Sequence, residues 1–143
     1  MWALAQQMNT EEDTYYINGV EPPIIGDVCQ SLYLVQYQEG SQITDQANVV
    51  YLQFSGKWYR LYFEGSTIFW RESKKPEEPV NSNLESALAL INLNECTDYV
   101  GKIIKNISYS GNATEISAEL VFEQEKSIKL LHHGYKETTC ITC

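Results

Sequence analysis

Between residues 49 and 72 the chain alternates strand-forming runs with short glycine-containing breaks, and no other segment constrains the fold as tightly. Val49 to Phe54, Trp58 to Phe63 and Thr67 to Glu72 are rich in β-branched and aromatic residues, and Ser55-Gly56 and Glu64-Gly65 separate them. Such side chains suit a pleated, half-buried surface, and glycine supplies the positive φ of a tight hairpin turn. The pattern predicts a three-stranded antiparallel meander. With two-residue turns, Leu52 pairs with Tyr59, Val50 and Ile68 with Leu61, and Tyr59 with Trp70. One face then carries Val50, Leu52, Phe54, Tyr59, Leu61, Phe63, Ile68 and Trp70, an apolar set that reads as core.

The opposite face carries Val49, Tyr51, Gln53, Trp58, Arg60, Tyr62, Thr67, Phe69 and Arg71. Its six aromatic and arginine residues, Tyr51, Trp58, Arg60, Tyr62, Phe69 and Arg71, are the candidate binding site. Three arrangements compete. A helix or the later strands cover the face as a second core layer; it is an interface, since Trp, Tyr and Arg dominate binding hot spots; or it lines a pocket for an apolar or aromatic ligand. A covered layer seldom keeps two guanidiniums unless they are paired or stacked on rings, which favours the last two.

The remaining segments are expected to build around this meander. The polar residues up to Asp13 read as a loosely ordered arm, and Glu21-Pro22-Pro23 followed by Gly26 as a connection. Residues 27 to 38 alternate as a strand, and Glu39 to Asn48 read as a polar loop. Ser73 to Asn81 is a charged, proline-broken link. Ser82 and Glu85 then match a capping box, and Leu84, Ala87, Leu88 and Ile91 recur at helical spacing, predicting one amphipathic helix over about 83–93. Hairpins are expected over 102–141, with Ile116, Ala118, Leu120 and Phe122 alternating against polar neighbours. The expected fold is a single α+β domain spanning residues 1–143, with an antiparallel sheet of about six to seven strands and one helix.

Charge and motifs bound the function. Ten basic and nineteen acidic residues give a net charge of −9 over 143 residues. Residues 1–56 contain no Lys or Arg and carry Glu11, Glu12, Asp13, Glu21, Asp27, Glu39 and Asp45. Such a field repels phosphates, so nucleic acid is not an expected partner, and it speeds association with a basic protein. No apolar run reaches the ~18 residues of a membrane-spanning helix, so no membrane partner is expected. Ala3-Leu4-Ala5 has the form of a signal-peptidase site, but no basic region or apolar run precedes it, and a cytoplasmic location is expected.

Cys140-Ile141-Thr142-Cys143 is a CxxC pair that ends the chain instead of opening a helix, which argues against redox chemistry. With His132 it offers only a weak metal set, because His132 and His133 are adjacent and point to opposite faces of a regular strand. No GxSxG, HExxH or GxxxxGKS motif is present, and no cofactor is implied. In size, acidity and lack of catalytic signatures the chain resembles inhibitory proteins that neutralise a basic partner, such as bacterial immunity proteins. The expectation is a non-enzymatic, acidic protein-binding module. The alternatives are a small-ligand-binding domain or modest enzyme with a pocket against the aromatic face, and self-association through that face.

Overall fold

The computed structural model describes residues 14–81, 86–95 and 98–143. Among the described residues it contains ten strands and no α-helix. The strands are β1 (Tyr16–Asn18), β2 (Cys29–Glu39), β3 (Gln42–Phe54), β4 (Lys57–Glu64), β5 (Thr67–Ser73), β6 (Ser86–Asn92), β7 (Ile104–Gly111), β8 (Glu115–Phe122), β9 (Lys126–His133) and β10 (Thr138–Thr142). They form a six-stranded sheet in the order β1-β5-β4-β3-β2-β6 and a four-stranded sheet in the order β10-β9-β8-β7. All pairs are antiparallel except β1 with β5.

The expected α+β class is therefore overturned: the architecture is all-β, in two sheets. The segment assigned to a helix over 83–93 instead supplies β6, which pairs with β2 from Tyr33↔Asn92 to Glu39↔Ser86, followed by a 3-10 turn at Leu93–Glu95. Short apolar runs fit the helical and the strand period equally well. What decides here is the eleven-residue β2, whose second edge needs backbone partners. Ser82 and Glu85, the expected capping box, lie outside the described residues, as does the arm expected over 1–13. The loop expected over 39–48 is also replaced. Only Gly40 and Ser41 turn, and β3 begins at Gln42.

The meander is present as β3, β4 and β5. Its first hairpin has the expected register, Val50↔Leu61 and Leu52↔Tyr59. The second turns at Gly65-Ser66, one residue later than expected, so Leu61 faces Trp70 and Phe63 faces Ile68. That two-residue slide preserves the alternation, and all eight residues assigned to the core face are buried. They pack in one cluster with Ile104, Ile116, Ala118, Leu120, Phe122, Ile128 and Leu130 from the four-stranded sheet. The two sheets thus bury their apolar faces against each other, as sandwiches do.

Both edges are stitched. Register shifts in the β2–β3 pairing change which residues of β3 point inward, so Asp45 and Ala47 are buried in its first half and Val50, Leu52 and Phe54 in its second. The bent strand reaches β10, where the Thr139 N–H donates to Asp45 Oδ1 (2.8 Å) and the Ile141 N–H to Gln46 Oε1 (2.9 Å). On the other side, the Thr14 N–H donates to the Gly111 carbonyl (2.9 Å), and Val28 bridges Ile103. Between the sheets, the Trp70 indole N–H donates to the Tyr109 hydroxyl (2.8 Å), which donates in turn to Glu21. No helix among the described residues is long and apolar enough to cross a membrane.

Candidate functional site

Tyr51, Trp58, Arg60, Tyr62, Phe69 and Arg71 all lie on the outer face of the six-stranded sheet, and all six are half-buried. Strand pairing places Tyr51 opposite Arg60, Arg60 opposite Arg71 and Tyr62 opposite Phe69. The rings of Tyr62 and Phe69 stack, with centroids 4.9 Å apart and planes within 1°. Arg60 Cζ lies 5.8 Å from the Tyr62 centroid and Arg71 Cζ 5.5 Å from that of Phe69. Trp58 tilts against Tyr33 on β2, 5.9 Å away. Two like charges directly opposed across strands are unfavourable, and each is offset by a ring beneath its guanidinium.

The two arginines differ in what they hold. Arg71 Nη1 donates to the carbonyls of Asn18 (3.0 Å) and Trp70 (2.8 Å), and Nη2 to Asn18 Oδ1 (2.6 Å). It braces β1 against β5, and Gly19 makes room for it: a Cβ there would lie 2.5 Å from Arg71 Nη1 and 2.1 Å from the Trp70 carbonyl oxygen. Arg60 has no such employment. Its Nε is buried without a hydrogen-bond partner, and its guanidinium makes no ion pair among the described residues. A buried, unsatisfied polar group costs about 1–3 kcal/mol.

Among the described residues no second layer covers this face, because the segment expected as a helix supplies an in-plane strand. What partly shields it is the link after β5. β5 and β6 are four positions apart in the sheet, roughly 19 Å at the usual strand spacing, and residues 74–81 lead across this span. At the far side Asn81 bonds both the N–H (2.8 Å) and the carbonyl (2.9 Å) of Leu88, covering the outer edge of β6. Between this strap and the sheet runs a groove of about 610 Å³, lined by Tyr51, Arg60, Glu72, Ser73, Lys74, Lys75, Pro76 and Glu77.

A second polar cluster sits between the sheets. His132 is buried and stacks on Phe63 at 5.5 Å. Its Nδ1 lies 2.9 Å from Thr139 Oγ1 and its Nε2 3.3 Å from Glu137 Oε1. Asp45 accepts from the Thr139 N–H and from Asn48 Nδ2 (2.9 Å). Burial pushes the His132 pKa below its ordinary value, against the opposing pull of Glu137 and Asp45. Glu137 adopts a φ of 53° and accepts from the Gly65 N–H (3.2 Å), so its strained backbone is held from two sides. These polar atoms satisfy one another, which makes the cluster a clasp between β9–β10 and the β4–β5 turn.

The weak metal candidates do not converge. Thr139 pairs with His132 and Cys140 with Leu131, and alternation points Cys140 away from the clasp. Cys140 and Cys143 are exposed, whereas Cys29 is buried and its thiol is pushed up to about 12. Among the described residues no group of three or more His, Cys, Asp or Glu side chains is placed to hold a metal ion. His133 turns outward to Glu115, 3.1 Å away.

Sequence reasoning missed Asp45, in the segment read as a polar loop, and Glu137, in the stretch read as part of the hairpins over 102–141. It also missed the groove, whose wall is the strap. Comparison of the chain with protein-family models, with curated proteins and with solved structures finds no match.

Proposed function

We propose that this chain is a non-enzymatic binding module whose working surface is the outer face of the six-stranded sheet. The carrying observation is the ordered aromatic and arginine array of Tyr51, Trp58, Arg60, Tyr62, Phe69 and Arg71. It stays half-exposed outside the sandwich, although the sheet's other face holds the core. Stacked rings and ring-backed guanidiniums are already fixed in place, so a partner docking on them loses little rotamer entropy.

The expected steering by the acidic first third draws less support. Glu21 is bonded to Tyr109, Asp27 to Ser55 and Asp45 to Thr139 and Asn48. By contrast, the outer face and the groove beside it hold Arg60, Arg71, Lys74 and Lys75 against Glu72 and Glu77. The contact face is locally cationic on an acidic molecule, which suits a partner with acidic groups at its contact surface better than a basic one. The groove beneath the strap favours a second reading, a small-ligand site on the same face.

The test compares wild type with Trp58→Ala and Tyr62→Ala, each verified as folded by circular dichroism, in pull-down and native mass measurements. Capture of a partner, or of a second copy, by wild type and its loss in both folded variants is the expected result. Undiminished capture by both variants refutes the assignment of this face.

A further inference from the structure

We propose that the groove between the strap and the sheet is a receptor for a carboxylate group, with Arg60 as the residue that holds it. This deepens the reading of the outer face as the working surface and rests on it. Arg60 is the lining guanidinium without a partner, whereas its neighbour Arg71 is consumed by Asn18 and the Trp70 carbonyl. The Tyr62 ring lies 5.8 Å from Arg60 Cζ on the same strand, which helps fix the guanidinium and keeps its charge desolvated on one side. A planar, pre-oriented guanidinium matches the two coplanar oxygens of a carboxylate.

The charge of the lining selects among anions. Arg60, Lys74 and Lys75 face Glu72 and Glu77, leaving one net positive charge. A single negative charge balances that excess, whereas a doubly charged phosphate would be repelled by both glutamates. Lys74 and Lys75 make no ion pair among the described residues, so both remain available to the ligand. Ser73 and Tyr51 add hydroxyl groups to the lining, and the ring of Tyr51 offers a surface for the body of the ligand. At about 610 Å³ the groove falls within the range of small-molecule sites.

The test is a nitrogen-edited NMR titration of the full chain at constant ionic strength, following the Arg60 Nε–H and Trp58 indole signals. Sodium benzoate is the probe, benzamide its neutral isostere, inorganic phosphate the competing anion and sodium chloride the ionic-strength control. Benzoate is expected to saturate with a dissociation constant on the order of 1 mM, as suits a small ligand in an open groove. Benzamide and phosphate are expected to bind at least tenfold more weakly. Arg60→Gln should weaken benzoate at least tenfold with the rest of the spectrum unmoved, and a Lys74→Gln, Lys75→Gln double variant about threefold.

Benzamide equal to benzoate overturns recognition of charge, phosphate tighter than benzoate overturns the carboxylate assignment, and benzoate binding unchanged in folded Arg60→Gln overturns the site. Should Arg60→Gln lose its fold, unchanged benzoate binding by the lysine variant overturns the proposal equally. Failure of benzoate with partner capture still dependent on Trp58 and Tyr62 removes the carboxylate receptor alone. Capture independent of both residues removes the working-surface reading, whatever benzoate does.

Discussion

Removing a single oxygen atom from Tyr109 should cost this protein more than most surface substitutions. The hydroxyl serves two partners at once, donating to Glu21 and accepting from the indole N–H of Trp70, which is 1% exposed. In Tyr109→Phe the Trp70 donor stays buried without an acceptor, a loss of about 1.5 kcal/mol. The bond to Glu21 is charge-assisted, but Glu21 is half-exposed and regains water, so another ~1.5 kcal/mol is a fair discounted figure. Together these predict a loss of about 3 kcal/mol. For 143 residues the unfolding entropy is about 0.3 kcal/mol/K near the midpoint, so Tm should fall by about 10 °C. Calorimetry with urea denaturation reads both quantities, and an unchanged m-value would show that the denatured state is not responsible. In a Trp70→Phe background the penalty should drop by about half, since no indole donor is left stranded. A loss under ~1 kcal/mol, or an equal loss in both backgrounds, would refute the view that this hydroxyl ties the sheets together.

Three further outcomes follow from the geometry. Burial depresses the His132 pKa, so the unfolded chain takes up more protons below the ordinary value of 6.5; stability is fully present above that pH and declines as pH falls through the depressed folded value. Urea midpoints across this range should therefore fall toward acid in wild type, with a smaller slope in His132→Gln. Gly19→Ala should destabilise by about 3 kcal/mol, because its φ is 97° and the new methyl meets the Trp70 carbonyl and Arg71; thermal denaturation reads this directly. In thiol labelling followed by peptide mass analysis, Cys140 and Cys143 should react in the native protein. Cys29 should wait for denaturant, its pKa near 12 against an ordinary 9.0 cutting the thiolate fraction roughly a thousandfold.

The parts of this fold that could be read from sequence are those fixed by local alternation. The two faces of residues 49–72 followed from period-two patterning, and a turn placed one residue early slid the β4–β5 register by two without exchanging the faces. The six candidate residues were therefore found on one surface before their setting was known. What escaped were features made by residues distant in the chain. Ser86–Asn92 became a strand because β2 needed an edge partner, and β2 lies some fifty residues earlier. Gln42–Asn48 looked like a loop because its composition is polar, yet Asp45 turns inward to meet a backbone N–H 94 residues away. The difference between Arg60 and Arg71 was likewise illegible. Asn18, which occupies Arg71, comes alongside only through the parallel β1–β5 pairing, and nothing near residue 60 signals the lack of a partner.

The bond from Thr139 to Asp45 also bears on how fast this chain reaches its native state. Drawing the ends of a 94-residue loop together costs about 4 kcal/mol in chain entropy plus a constant, and the sheet edge that rewards it exists only once β3, β9 and β10 are assembled. The β1–β5 and β2–β6 pairings add closures of about fifty residues each. Without helices among the described residues to form early, the hairpins β2–β3, β3–β4, β4–β5, β7–β8, β8–β9 and β9–β10 are the available local starting points, and the long closures must follow. The rate-limiting barrier is then one of topology, and refolding should fall in the millisecond-to-second range of non-local β proteins. During that interval the two sheets are unjoined, and their inner faces, Ile128 and Leu130 of β9 among them, stand in contact with water until the sheets meet.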